Sequence, residues 1–130
     1  MNNEEKVKYW IDLADYDIDT AETLYGGGRW LYVAFMCHQV IEKSLKAYWT
    51  ATQETEPPYT HNLSRLATGC GLDKQLSDEQ LGFIDLMIPM NIEARYPSYK
   101  DALSRGLTPD FCRSIIDRTK ELQIWIKSRL

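Results

Sequence analysis

Apolar residues return at steps of three and four along the first part of the chain. Val7, Trp10, Leu13, Ala14, Ile18, Ala21 and Leu24 fall on one side of a helix drawn from Glu4 to Tyr25. Asn3 stands before it as an N-cap, and Gly26-Gly27-Gly28 stops it, because three glycines disfavour helix and permit positive φ. A second helix, Arg29 to Thr50, is apolar round most of its circumference, with Leu31, Val33, Ala34, Cys37, Val40, Ile41, Leu45 and Tyr48 facing inward. Such a helix belongs at the centre of a bundle.

Residues 51–61, which include Pro57-Pro58, predict a loop, and Asn62 then caps a short helix to about Cys70 that Gly69 and Gly71 stop. Ser77 with Gln80 three residues on forms a capping box for a helix from Asp78 to about Met87, which Pro89 kinks or closes. Residues 89–107 read as irregular. Thr108 caps a last helix with Pro109 in its first position, and Phe111, Ile115, Ile116, Leu122, Ile124, Trp125 and Ile126 supply its apolar faces to about residue 128. Neither strand-like alternation nor an internal repeat competes. The expectation is an all-α fold: one domain over residues 1–130, an up-and-down bundle of about five helices with a four-helix core and one short helix.

Composition narrows the function classes. With 130 residues, 44% hydrophobic and 12% aromatic, one core can be filled without disulfides or metal. Cys37, Cys70 and Cys112 are scattered singly with no companion His at ligand spacing, so neither zinc nor a disulfide framework is expected, and no cofactor is implied. The glycine run lacks both a preceding strand and a following Gly-Lys-Ser/Thr, which makes it a helical hairpin and not a phosphate loop. A polar, acidic N-terminus and the lack of any long apolar run predict a cytoplasmic protein with no membrane segment. The net charge of −4 argues against nonspecific binding to polyanions. Positive charge nevertheless gathers in residues 29–50, 93–107 and 108–130, which is where a phosphate-bearing partner would meet the chain.

Several residues break the pattern. On a helical wheel Asp17 sits between Trp10, Leu13, Ala21 and Leu24, inside the apolar stripe, where a carboxylate needs a hydrogen-bonding partner. It is either a helix-to-helix clamp or a functional carboxylate. Gln39, Glu42, Lys43 and Lys46 gather into one sector of the second helix with Tyr32, and His38 lies at its edge. That stripe reads as a solvated face, as a dimer interface, or as a pocket in which lysines hold phosphate and Gln39 reads a base or ribose. His61, just before the cap of the short helix, suits a loop-fixing hydrogen bond or a base. Arg95-Tyr96-Pro97-Ser98-Tyr99-Lys100 combines cations and aromatics, as stacking plus phosphate contact requires, although Tyr-Pro is also a plain turn former.

Four blocks among these residues carry a resemblance: Ala14-Asp15-Tyr16-Asp17-Ile18, His38-Gln39 with Glu42-Lys43-Ser44-Leu45-Lys46-Ala47, Thr60-His61-Asn62-Leu63, and Ala94-Arg95-Tyr96-Pro97. In this order and spacing they resemble the HEPN domain over nearly the whole chain. The resemblance implies a usually dimeric helical bundle associated with nucleotide or nucleic-acid binding, often beside a nucleotidyltransferase-type partner. Several members are metal-independent ribonucleases that share Arg, four to six residues, then His. Here Arg29 has eight residues between it and His38, and Arg95 is followed by Tyr, Pro, Ser, Tyr, Lys and Asp. Metal-free RNA cleavage needs a base for the 2′-hydroxyl and a cation for the phosphorane.

Three expectations follow. The leading one is a non-catalytic homodimeric module that binds a nucleotide or RNA through Asp17, Gln39, Glu42, Lys43, Lys46, Arg95 and Tyr96, with a possible nucleotidyltransferase-type partner. The second is a ribonuclease toxin of a toxin–antitoxin pair, with Arg95 as cation and His38 or His61 as base. The third is a purely structural interaction domain.

Overall fold

The computed structural model describes residues 1–91 and 97–130, with the side chains of 97–99 left out. Its helices are α1 (Asn3–Gly26), α2 (Trp30–Thr52), α3 (Leu63–Gly69), α4 (Asp78–Met87), α5 (Pro97–Arg105) and α6 (Pro109–Lys127), with 3₁₀ turns at Leu72–Lys74 and Ile88–Met90. No strand occurs among the described residues.

The helix ends follow the local chemistry. Asn2 caps α1 by accepting from the Glu5 amide at 2.8 Å. Asn3, the expected cap, lies one residue inside and donates instead to the Thr50 carbonyl near the end of α2 at 3.0 Å. The glycine run closes α1 as a Schellman motif: Gly28 takes φ +71°, its amide returns to Tyr25, and the Arg29 amide returns to Leu24. That reversal lays α2 antiparallel on α1. The Asn62 cap, the Ser77–Gln80 capping box and the Thr108 cap with Pro109 behind it all form as the sequence predicts.

α2 is the central element and packs against α1, α3, α4, α5 and α6. Val33, Ala34, Cys37, Val40 and Leu45 on it are fully buried, and they meet Ala14 and Ala21 of α1 and Ile115, Ile116 and Ile126 of α6. The α1–α6 seam is ionic: Glu22 accepts from Arg113 at 2.7 Å and Lys120 at 2.9 Å, and Asp15 accepts from Gln123 at 2.7 Å and Lys127 at 2.6 Å. Arg113 and Lys120 hold the Glu22 carboxyl below the usual carboxylate range.

One prediction is corrected here. The segment 89–107, read as irregular, contains the 3₁₀ turn ending at Met90 and the nine-residue helix α5. Pro97 opens that helix, a position its fixed φ suits, and so starts a helix and not a plain turn. α5 is mostly polar and is placed by its contact with α2 and by half-buried Leu103. The six α-helices among the described residues keep to the predicted all-α bundle of about five helices, with α5 as the addition.

Candidate functional site

Asp17 is 6% exposed, as its place in the apolar stripe of α1 predicts. Lys43 of α2 donates to its Oδ2, so the buried carboxylate acts as a clamp between the two longest helices. Breaking a pair of this kind strands a charge in a poorly solvated place, which costs far more than the loss of an exposed ion pair.

The residue just before Lys43 on α2 centres the more unusual group. Glu42 is only 3% exposed and its two oxygens have different partners. Lys46, four residues on along the same helix, donates to Oε2 at 3.1 Å, and His61 from the loop before α3 contacts Oε1 through Nδ1 at 2.8 Å. Nδ1 of His38, a fully buried side chain, lies 3.9 Å from the same Oε1, beyond hydrogen-bond distance. Lys46 is itself buried, and its ammonium stands 5.4 Å from the centre of the Trp10 ring on α1.

The chemistry follows from the roles of the atoms. A carboxylate only accepts, so Nδ1–H of His61 donates to Glu42 and the neutral ring carries its lone pair on Nε2. His61 is 62% exposed in its side chain, and no other described side chain is bonded to it. A buried carboxylate thus fixes the tautomer and orientation of a solvent-accessible imidazole, the arrangement by which carboxylates direct histidines toward a substrate. The same bond ties the 53–62 loop to α2, so the loop-fixing and the acid–base readings of His61 rest on a single contact.

The predicted site residues separate into three groups. Glu42, Lys46, His38 and His61 come together, with Asp17 and Lys43 as an adjacent pair and Gln39 half-buried on the same helix. Lys43 and Lys46 are each engaged by a carboxylate, so the α2 stripe offers a bound phosphate little uncompensated charge. Arg95 and Tyr96 lie outside the described residues, although the elements on either side of them, the 3₁₀ turn ending at Met90 and α5, both pack on α2. Trp10 was read only as a core position, and nothing in the sequence marks it as the aromatic face under Lys46. The Glu42–Lys46 spacing of four was a legible signal of their pairing.

Other features lie apart. A cleft of about 570 Å³ opens between the start of α4 and α6, where Arg118 stacks on Phe83 at 4.3 Å, and none of the predicted site residues lines it. Cys37, Cys70 and Cys112 are free, buried thiols, and burial pushes Cys37 up to about 12 and Cys112 up to about 11. No described helix is long and apolar enough to cross a membrane.

Comparison with known proteins agrees with this architecture. The crystal structure of TT1696 from Thermus thermophilus superposes with a TM-score of 0.81 at 19% sequence identity, covering 100% of both chains, a likeness that establishes the fold alone. None of the curated proteins compared matches the sequence. The family model described as HEPN domain matches residues 7–129. Agreement over that span, on a bundle whose caps and central helix follow from its own sequence, makes this chain a member of the HEPN domain family, helical domains often associated with nucleotides and RNA.

Proposed function

We propose that this domain is a homodimeric binding module for a nucleotide or an RNA end and that it does not cleave its ligand. The observation that carries the reading is the buried Glu42 carboxylate, held between Lys46 and His61 in the wall of the central helix. A charged group buried to this degree in a small domain is costly, and here it orients an accessible imidazole. In this reading His61 and Gln39 contact the ligand, and Lys43 and Lys46 position Asp17 and Glu42. Arg95 supplies the phosphate-binding cation and Tyr96 a stacking surface, from a segment whose flanking elements rest on α2. The absence of any Arg followed after four to six residues by His supports binding without cleavage. Calorimetric titration at low salt with nucleotides and short RNAs tests it, and the lack of saturable binding by all of them would overturn it. Sedimentation analysis tests the dimer, which a monomer at every accessible concentration would refute.

A second reading is favoured by one contact. The Glu42–His61 bond leaves Nε2 placed to take a proton, as a metal-independent ribonuclease requires of its base, with Arg95 as the cation at the phosphorane. Metal-free protein incubated with RNA should then show cleavage that His61→Ala and Arg95→Ala each abolish. Activity that survives both substitutions and His38→Ala marks contamination.

A further inference from the structure

Tyr59 is the most exposed large hydrophobic or aromatic side chain among the described residues, at 107% of its reference exposure. A single exposed aromatic carries no message by itself. What sets Tyr59 apart is the frame that holds it. Trp49 donates from Nε1 to the Thr55 carbonyl at 3.0 Å, and Lys6 of α1 pairs with Glu56 at 2.5 Å. Pro57 and Pro58, both half-buried, fix φ at the two preceding positions. Beyond Tyr59 the Thr60 amide returns to the Pro58 carbonyl at 2.9 Å, Thr60 Oγ1 accepts from the Asn62 amide at 3.1 Å, and His61 bonds to Glu42. Both flanks of the loop are anchored while the Tyr59 ring itself stands in water.

Tyr59 stands two residues before His61, so its Cα lies within about 7 Å of the Cα that carries the oriented imidazole. A rigidly mounted aromatic loses little conformational entropy when a flat partner is laid on it, and every nucleobase has a face that stacks on such a ring. We propose that Tyr59 is the base-stacking platform of the site, with the ligand's ribose-phosphate reaching His61. The ligand class is a nucleotide or a single-stranded RNA end whose base is unstacked. The inference rests on the nucleotide-binding reading above and adds to it Tyr59 as a base-stacking residue besides Tyr96.

The test is calorimetry at low salt on wild-type protein and on Tyr59→Ala, Tyr59→Phe and Tyr59→Trp. The probes are the four ribonucleoside 5′-monophosphates, a mixed-sequence hexaribonucleotide and ribose 5-phosphate. Tyr59→Ala should weaken binding of the base-bearing probes about 5- to 100-fold and leave ribose 5-phosphate unchanged, with Phe and Trp restoring affinity. Because the Tyr59 ring packs on nothing, the alanine variant should keep the wild-type circular dichroism and unfolding midpoint. Wild-type affinity for the base-bearing probes in Tyr59→Ala overturns the inference and leaves the binding function standing. Failure of the wild type to bind any of the probes overturns both.

Discussion

Replacing Glu42 by alanine removes the acceptor for Lys46 and His61 at once, and the two lose unequally. His61 is largely exposed and regains water. Lys46, only 7% exposed, keeps its ammonium near the Trp10 ring but loses the carboxylate 3.1 Å away. Leaving a buried charge without its partner costs about 3–5 kcal/mol, and the surviving cation–π contact offsets about 1 kcal/mol of that, so about 3 kcal/mol is expected. In urea, with a slope of about 1–3 kcal/mol/M, the midpoint should fall by about 1–3 M at fixed protein concentration. Adding Lys46→Met to Glu42→Ala removes the stranded charge and should recover a large part of the loss, because an apolar replacement of a buried pair is nearly neutral. Urea unfolding followed by circular dichroism measures both. A cost for Glu42→Ala below about 1 kcal/mol, the range of exposed pairs, or no recovery in the double variant would refute the idea that Glu42 compensates a buried cation.

Four further outcomes follow from particular contacts. Gly69→Ala sets two effects against each other: at the last residue of α3 alanine gains at most about 1 kcal/mol of helix propensity, but its Cβ would collide with the Trp49 ring, so the protein should lose about 1–2 kcal/mol in urea unfolding, and a stabilised variant would contradict this. Asp17→Ala and Lys43→Ala should couple, each single change costing nearly as much as both together in a double-mutant cycle, whereas simple additivity would show that the clamp has no energetic role. Folded protein at pH 8 should react with a thiol reagent far more slowly at Cys37 and Cys112 than unfolded protein does, because burial raises both thiols, to about 12 and about 11; free-thiol rates at either would refute it. The lowered Glu22 pKa sets an acid-dependent term that is whole above about pH 4.5 and disappears as pH falls through the folded-state value. Wild type and Glu22→Gln should therefore differ near neutrality by less than about 1 kcal/mol, since the pair is partly exposed, and converge in acid; a gap that widens in acid would be the wrong sign.

Five of the helices were legible in the sequence because what makes them is local. Period, caps and stops lie within a few residues of one another in α3, α4 and α6, α2 shows itself by its apolar circumference without a side-chain cap, and the displaced cap of α1 moved by only one position, from Asn3 to Asn2. α5 was missed because it is short: nine residues offer only Tyr99, Ala102 and Leu103 at helical spacing, too few to set against the turn-forming Tyr-Pro before them, and its contact with α2 belongs to the tertiary structure. The site divides in the same way. That Asp17 needed a partner was readable, since a carboxylate in an apolar stripe demands one, and the spacing of Glu42 and Lys46 allowed their pairing along one helix. That Asp17 meets Lys43, that Glu42 also holds His61, and that Trp10 lies under Lys46 depends on how α1, α2 and the 53–62 loop settle against one another. Sequence alone determined which groups could not be buried uncompensated. Only the packed bundle decided which groups compensate them, because side chains far apart in the chain become neighbours through interhelical register, and that register is set by the packing of the whole core.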